Sequence, residues 1–345
     1  MALASNSFVT LLDSNKSEHN GKALTLGTEI YQINEFLQDL VFAPANDGLA
    51  YVSGIITSTG TSSYARFNTG APSTKISILN QVDRVEILTR KMTIDVRTGM
   101  TIQDKEAKIV QWLDAHREGL SVDMNYDFLY GNPAVNLDQM IGQASKMGTS
   151  TIPTVFKAAS SGSALTSIYV NTHGERDLIA FYPQPAEGSE NYGSWNSGVS
   201  YTKNVAYVNS PSVDGTQYWA EVHELLWGLG YAIKNHRTQA RACNIPTGYL
   251  TSTAWNQAAP NTSNSFEIYD ICQNTLNQMQ NIRDGQRMLY MNRVIWNYLS
   301  RQLFHKSNQL ITPIELEGYK NPFPSILNCP IKFVEQISNN ETTVA

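Results

Sequence analysis

Six histidines are the first residues with which this chain could do chemistry, as metal ligands or general bases: His19, His116, His173, His223, His236 and His305. His223-Glu224 opens like the zinc pattern H-E-x-x-H, in which two imidazoles one helical turn apart share a metal. Trp227 stands where the second imidazole belongs, so no zinc site is expected there. His116 falls inside a helical stretch and reads as a packed or half-exposed helix residue. Gly228-Leu229-Gly230 supplies half of a dinucleotide fingerprint, but Ile233 replaces its third glycine. A phosphate cradle also needs a strand, a tight turn and a helix N-terminus in that order, and here both flanks read as strand. Neither a phosphate-loop lysine motif nor the G-x-S-x-G nucleophile elbow occurs. Glu187 with Glu190 and Glu315 with Glu317 are paired acids of the kind that hydrolyse glycosides, but neighbouring acids are usually solvated turn residues. No catalytic residue, cofactor or metal is expected.

Composition narrows the classes further. The chain has 345 residues, 41% hydrophobic and 16% charged, with a net charge of −5. That length suggests two lobes, and that charge suits neither a DNA-binding nor a membrane-binding polyelectrolyte. Cys243, Cys272 and Cys329 are few, odd in number and far apart, which argues for buried thiols in a reducing compartment. No apolar run is long enough to span a membrane, and the N-terminus lacks the basic head of a signal peptide. The 17 tyrosines and 6 tryptophans suit surfaces covered by neighbours, since such rings bury large areas while keeping a polar handle.

The elements that must position these residues are legible in part. Residues 1–27 read as a polar arm. Ile30, Ile33, Leu37 and Leu40 are spaced for a helix capped by Thr28 and ending before Pro44. Residues 46–78 read as a protruding two-stranded hairpin. Its interior from Ser53 to Thr74 is rich in Ser, Thr and Gly, with Arg66 as its only charge. Alternation predicts strands around Val85–Ile87 and Met92–Val96. Thr101 and Asp104 start a long helix with Ile109, Leu113, Leu120, Met124 and Phe128 on one face, stopped by Gly131 and Pro133. Gly119 inside it marks a bend. Asn136 caps a shorter helix carrying Leu137, Met140, Ile141 and Ala144. Residues 167–182 read as two strands about His173-Gly174, and residues 183–217 as extended structure with long turns. Residues 218–245 read as a long strand pair. Asn264 and Glu267 cap a helix striped by Ile268, Ile271, Cys272, Leu276 and Met279. A strand at Arg287–Met291, a helix after Asn292 and a final strand in CPIKFVEQI complete the chain. Without regular βαβ alternation, the class is α+β.

Four segments in order, from about 80 to 338, resemble the major capsid proteins of epsilon-fifteen-like short-tailed bacteriophages, which share the Hong Kong 97 shell fold. The first is the long helix ending FLYGNP. The second is IYVNTHGERDLIAFYPQPAEGS, with its glycine turn at His173-Gly174-Glu175, then Tyr182-Pro183 and Gly188-Ser189. The third is YWAEVHELLWGLGYAIKNHRTQARACNI, where Trp227, Gly230, Arg237, Arg241, Asn244 and Ile245 match the family pattern. The fourth is RMLYMNRVIWNYL, then HKSNQL, then NCPIKFVEQI.

The resemblance implies an N-terminal arm (1–45), an extended loop (46–78), a peripheral domain with the long spine helix (79–132 and 184–245) and an axial domain (133–183 and 246–345). It implies self-assembly as pentamers and hexamers into an icosahedral head around double-stranded DNA, which is held by non-specific proximity. Scaffolding and portal proteins are implied partners, with room for a decoration protein and none for a membrane. The protein would assemble in the host bacterial cytoplasm and end in the virion capsid. The loop interior lacks a lysine, so the shell is expected to be non-covalent. Tyr64, Arg66 and Phe67 on the loop, with Arg237 and Arg241, are the subunit-interface candidates, although either of the last two could be an internal ion-pair partner. The alternatives are another virion part, such as a tail tube or decoration protein, and a carbohydrate-active enzyme.

Overall fold

The computed structural model describes residues 18–19, 22–23, 35–64, 67–68, 73–101, 104–149, 152–159, 164–183, 199–209, 216–247, 268–279, 285–305, 312–314 and 323–344. In chain order, the strands are β1 (Glu18–His19), β2 (Lys22–Ala23), β3 (Val41–Pro44), β4 (Ala50–Ser58), β5 (Ser77–Arg84), β6 (Glu86–Asp95), β7 (Val155–Lys157), β8 (Leu165–His173), β9 (Leu178–Tyr182), β10 (Val199–Asn209), β11 (Gln217–Ile233), β12 (Gln239–Pro246), β13 (Gln286–Met291), β14 (Thr312–Ile314), β15 (Phe323–Ile326) and β16 (Cys329–Phe333). The helices are α1 (Glu35–Gln38), α2 (Val96–Thr101), α3 (Lys105–Tyr130), α4 (Gln143–Lys146), α5 (Ile268–Gln278) and α6 (Arg293–His305). The mixture is α+β, as its sequence pattern implies.

The chain divides into two compact units. The first comprises residues 1–32, 86–124 and 185–229; the second comprises 33–85, 125–184 and 230–345. Residues 230–245 group with the second unit. The reason is a change of partner within β11, which pairs with β6 up to Leu229 and with β9 from Gly230 onward.

In the first unit, β10, β11 and β6 form antiparallel pairs. One face of that sheet meets α3, where Met92, Ile94 and Leu225 bury against Ile109, Leu113 and Trp112. The start of α3 is tied down by Lys105 Nζ to Glu221 Oε1 at 2.6 Å. Gly119 has a use other than bending. A Cβ there would lie 2.4 Å from Arg90 Nη1, so glycine leaves room for Arg90 to cross the helix and reach Asp123 at 2.6 Å, and a larger residue would push the flexible end of that arginine aside.

In the second unit, a seven-stranded sheet runs β14-β15-β16-β13-β8-β12-β7. Its two faces differ in chemistry, and the central strand β8 shows why. Successive side chains on a strand point to opposite faces. Ile168 and Val170 join Leu289, Ile331, Ile271, Leu276, Ile295 and Leu299 in a dry core against α5 and α6. Ser167, Tyr169, Asn171 and His173 alternate with them and are also buried. Strand register sets Tyr290, Arg241 and Gln239 beside them, and Lys332 beside Tyr290. This second face is a buried polar surface.

Several elements depart from the sequence expectation. Helix α1 stops at Gln38, and Val41–Pro44 is a strand parallel to β9. Residues 24–34, and with them the Thr28 cap, lie outside the described residues. Thr101 ends α2 rather than starting the long helix, and Asp104 takes a φ of +51° before α3 begins. Residues 132–142 form turns in place of the expected helix, leaving Leu137 exposed, and only α4 is helical. Asn136 still acts locally, accepting from the Asp138 amide at 3.2 Å. Residues 167–182 form two strands about a turn, as expected, with β8 and β9 in different sheets, whereas residues 218–245 form two strands that are not a pair, since β11 and β12 join different sheets. The five apolar residues of α3, the stripe of α5 and the helix after Asn292 follow the sequence pattern, and Asn292 caps that helix by accepting from the Ile295 amide at 2.9 Å. The Asn264 and Glu267 cap lies outside the described residues.

At the change of partner in β11, a Cβ on Gly230 would sit 2.2 Å from the Phe181 ring. Gly230→Ala is expected to destabilise the second unit by about 1–3 kcal/mol, the usual effect of overpacking. Adding Phe181→Leu should recover part of the loss. Denaturant midpoints of the three proteins check this, and an unchanged midpoint in Gly230→Ala would contradict it.

Candidate functional site

Among the described residues, a run of exposed apolar side chains, including Ile56, Ile78, Leu79 and Val82, lies on the hairpin β4–β5. Its strands pair from Ala50↔Arg84 to Ile56↔Ile78, with a bulge before Ser58↔Ser77. Directly opposed residues share a face. One face therefore carries Val52, Val82, Ile56 and Ile78, the last three more than half exposed. The opposite face carries Tyr51, Asp83, Ser53 and Gln81. A ribbon of two strands is marginal on its own in water, so both its root and its apolar face need support.

The root is held on the second face. Asp83 Oδ1 lies 2.8 Å from Lys146 Nζ, with side chains only 3% and 5% exposed. The same ammonium donates to the Tyr231 carbonyl at 2.7 Å and sits 5.0 Å from that ring's centroid. Burial pulls the Lys146 pKa below its ordinary value, and Asp83 opposes the pull. Gln81 Nε2 donates to both Asp83 oxygens, at 3.2 and 2.9 Å, and Gln81 Oε1 faces His236 Nε2 at 3.4 Å. Burial, and then Lys146, lower the His236 pKa. Lys234 Nζ lies 4.9 Å above the Tyr51 ring, which packs on Phe181. Asn46 closes the root by exchanging two 2.8 Å bonds with the Val52 backbone.

The five sequence-predicted interface residues fare differently. Tyr64 and Phe67 are fully exposed. Arg66 lies outside the described residues. Arg237 is exposed on a 3-10 turn. Arg241 is not a surface residue in the subunit. Its guanidinium donates to Ser167 Oγ (3.1 Å), the carbonyls of Ala144 (3.0 Å) and Met147 (3.1 Å), and Glu341 (2.9 Å). It is the internal partner of the C-terminal segment. There Glu341 also accepts from Tyr130 at 2.5 Å and from Ser167, while Asn244 exchanges two bonds with the Val344 backbone.

Sequence reading missed Asp39, which resembled an ordinary polar residue at a helix end. It accepts from Lys332 Nζ at 2.5 Å and Tyr290 OH at 2.6 Å. Tyr290 donates to Asp39, so His173 Nε2, at 2.7 Å, donates to the Tyr290 oxygen. Beside them Phe36 packs edge-on against Phe128, His173 and Tyr290. The polar alternation of β8 was the available signal.

Among the described residues, the His223-Glu224 and Gly228-Gly230 patterns do not form the sites they resemble. His223 and Glu224 are consecutive on β11, so they point to opposite faces, and His223 Nδ1 bonds Tyr201 OH at 2.7 Å. Gly228 and Gly230 lie within one continuous strand. The four paired acids lie outside the described residues. Among the described residues, no three His, Cys, Asp or Glu side chains form a metal cluster, and no helix is long and apolar enough to cross a membrane.

A family model for the major capsid protein GP7 matches residues 18–345. The chain belongs to this major capsid protein family. Among solved structures it is similar to a chain of the bacteriophage Epsilon15 cryo-EM structure, at 22% identity and TM-score 0.69 over 100% of this chain and 99% of that one. It is also similar to the bacteriophage JBD30 capsid (9%, TM-score 0.46, 96% of each chain). A third likeness is to the SrpI encapsulin complex of Synechococcus elongatus PCC 7942 (7%, TM-score 0.44, 69% of this chain and 96% of that one). No curated protein matches the sequence. The fold is the Hong Kong 97-like shell fold, and this major capsid protein builds an icosahedral phage head.

For the capsid protein's stability, the His173 network has a pH consequence. Burial, with Lys332 adding to it, pushes the imidazole pKa down to about 3. The unfolded chain takes up that proton near pH 6.5. This contribution is therefore complete above about pH 6.5 and is lost as pH falls from there to about 3, at about 1.4 kcal/mol per pH unit. His173→Gln should flatten the fall in the denaturant midpoint between pH 7 and pH 5. An identical fall in both proteins would contradict the assignment.

Proposed function

We propose that this capsid protein assembles as pentamers and hexamers by laying hairpin β4–β5 over a neighbouring copy. The observation that carries the reading is the exposed face of Ile56, Ile78 and Val82 on a ribbon whose other face is pinned at its root. A neighbour's surface supplies the missing apolar contact, with Tyr64, Arg66 and Phe67 at the outer end and Arg237 as a further contact. The segments 79–132 and 184–245 act as the peripheral domain, and 133–183 and 246–345 as the axial domain. Assembly takes place in the host cytoplasm with a separate scaffolding protein and a portal, with or without a decoration protein. The head encloses double-stranded DNA without sequence readout, and the protein has no enzymatic step of its own. With no lysine between Ser53 and Thr74, the subunits are held non-covalently, and head expansion is a switch between two packings of one subunit.

Placing a charge on the exposed face tests this reading. Ile78→Asp should leave the subunit folded, since exposed positions tolerate change. It should weaken assembly by at least about tenfold, because one buried isoleucine contributes about 1.5–3 kcal/mol. Arg66→Ala, which removes the only charge between Ser53 and Thr74, should act in the same direction. Sedimentation of purified protein separates shells from subunits. Shells at wild-type yield from both variants would reject the hairpin as the contact.

A further inference from the structure

We propose that Asp83 and Lys146 are positioning residues for assembly, their ion pair setting the direction in which the hairpin leaves the second unit. The inference rests on the hairpin reading above. Apolar contacts at the root, such as Tyr51 on Phe181, are non-directional and tolerate rotation. The ion pair is directional at both ends. Lys146 Nζ is shared between Asp83 and the Tyr231 carbonyl, at 2.8 and 2.7 Å, and Gln81 orients the Asp83 carboxylate. Lys146 is itself held, because α4 is gripped where Arg241 binds the carbonyls of Ala144 and Met147. The path from hairpin to unit thus runs through Asp83, Lys146 and α4 to Arg241 on β12.

Leverage makes the direction matter. Six residues separate Asp83 from Ser77, about 20 Å of strand, so a rotation of about 10° at the root moves the outer ribbon by about 3.5 Å. A close-packed interface does not absorb that shift. Stability alone does not require the pair, since well-packed apolar replacements of buried ion pairs are often neutral or stabilising.

The double variant Asp83→Leu/Lys146→Met separates positioning from stability. In the full chain, spin labels at Ser63→Cys and Arg176→Cys, both exposed, report the distance between the outer hairpin and the β8–β9 turn. The three native cysteines are buried and stay unlabelled. The expected result is an unchanged thermal midpoint, a broadened distance distribution and loss of closed shells. A narrow distribution at the wild-type distance would overturn the inference, as would normal shells despite a broad one. Should the double variant fail to fold, Asp83→Asn keeps the side chain's shape and removes its charge. A wild-type distribution in Asp83→Asn likewise overturns the inference. Failure of the unsubstituted protein to form shells would reject the hairpin reading, while the distance measurement would still decide whether the pair sets the hairpin's direction.

Discussion

A charge removed from water must keep its partner, and this constraint organises the second unit. Three ion pairs there are almost fully buried: Asp39–Lys332, Asp83–Lys146 and Glu341–Arg241. Stripping water from each ion costs several kcal/mol, and losing one partner leaves that penalty uncompensated. Each pair joins a segment distant in sequence to the body of the unit. Asp39 brings in the chain around α1, Asp83 the hairpin, and Glu341 the C-terminal segment. The pairs therefore select one arrangement of these segments more than they add net stability.

The seven-stranded sheet makes this possible by keeping its faces chemically distinct. One face packs α5 and α6 without a charge in the cluster. The other presents Arg241, Lys332, Asn171, Tyr169 and Tyr290 as a buried polar surface on which outlying segments are received. Gln143 and Asn171, which exchange two hydrogen bonds, extend that surface to α4. The hairpin draws on the same arrangement. Its Asp83 face is tied to the subunit at the root, and its Ile56–Ile78 face stays exposed.

The sequence disclosed what depends on local periodicity and withheld what depends on distant pairing. The face of α3 from Ile109 to Phe128, the α5 stripe, the helix after Asn292 and the hairpin could be read from spacing and composition. Strand partners could not. Residues 218–245 have the length of a hairpin, but β11 and β12 join different sheets, a matter of tertiary register that single-strand patterning does not encode. Arg241 and Asp39 show the same limit for individual charges. Exposure and burial look alike in sequence, and each ion-pair partner lies at least 100 residues away. Gly119 reads as a bend because the arginine crossing it comes from a strand 29 residues earlier.

The central claim is that this subunit carries its own assembly surface. Electron microscopy of the purified full-length protein, expressed alone and then with a scaffolding protein from the same genome, tests it most directly. The account predicts closed icosahedral shells, or malformed sheets of pentamers and hexamers, with hairpin β4–β5 lying on a neighbouring copy. A monodisperse monomer under both conditions, or shells whose hairpins touch no neighbour, would contradict it.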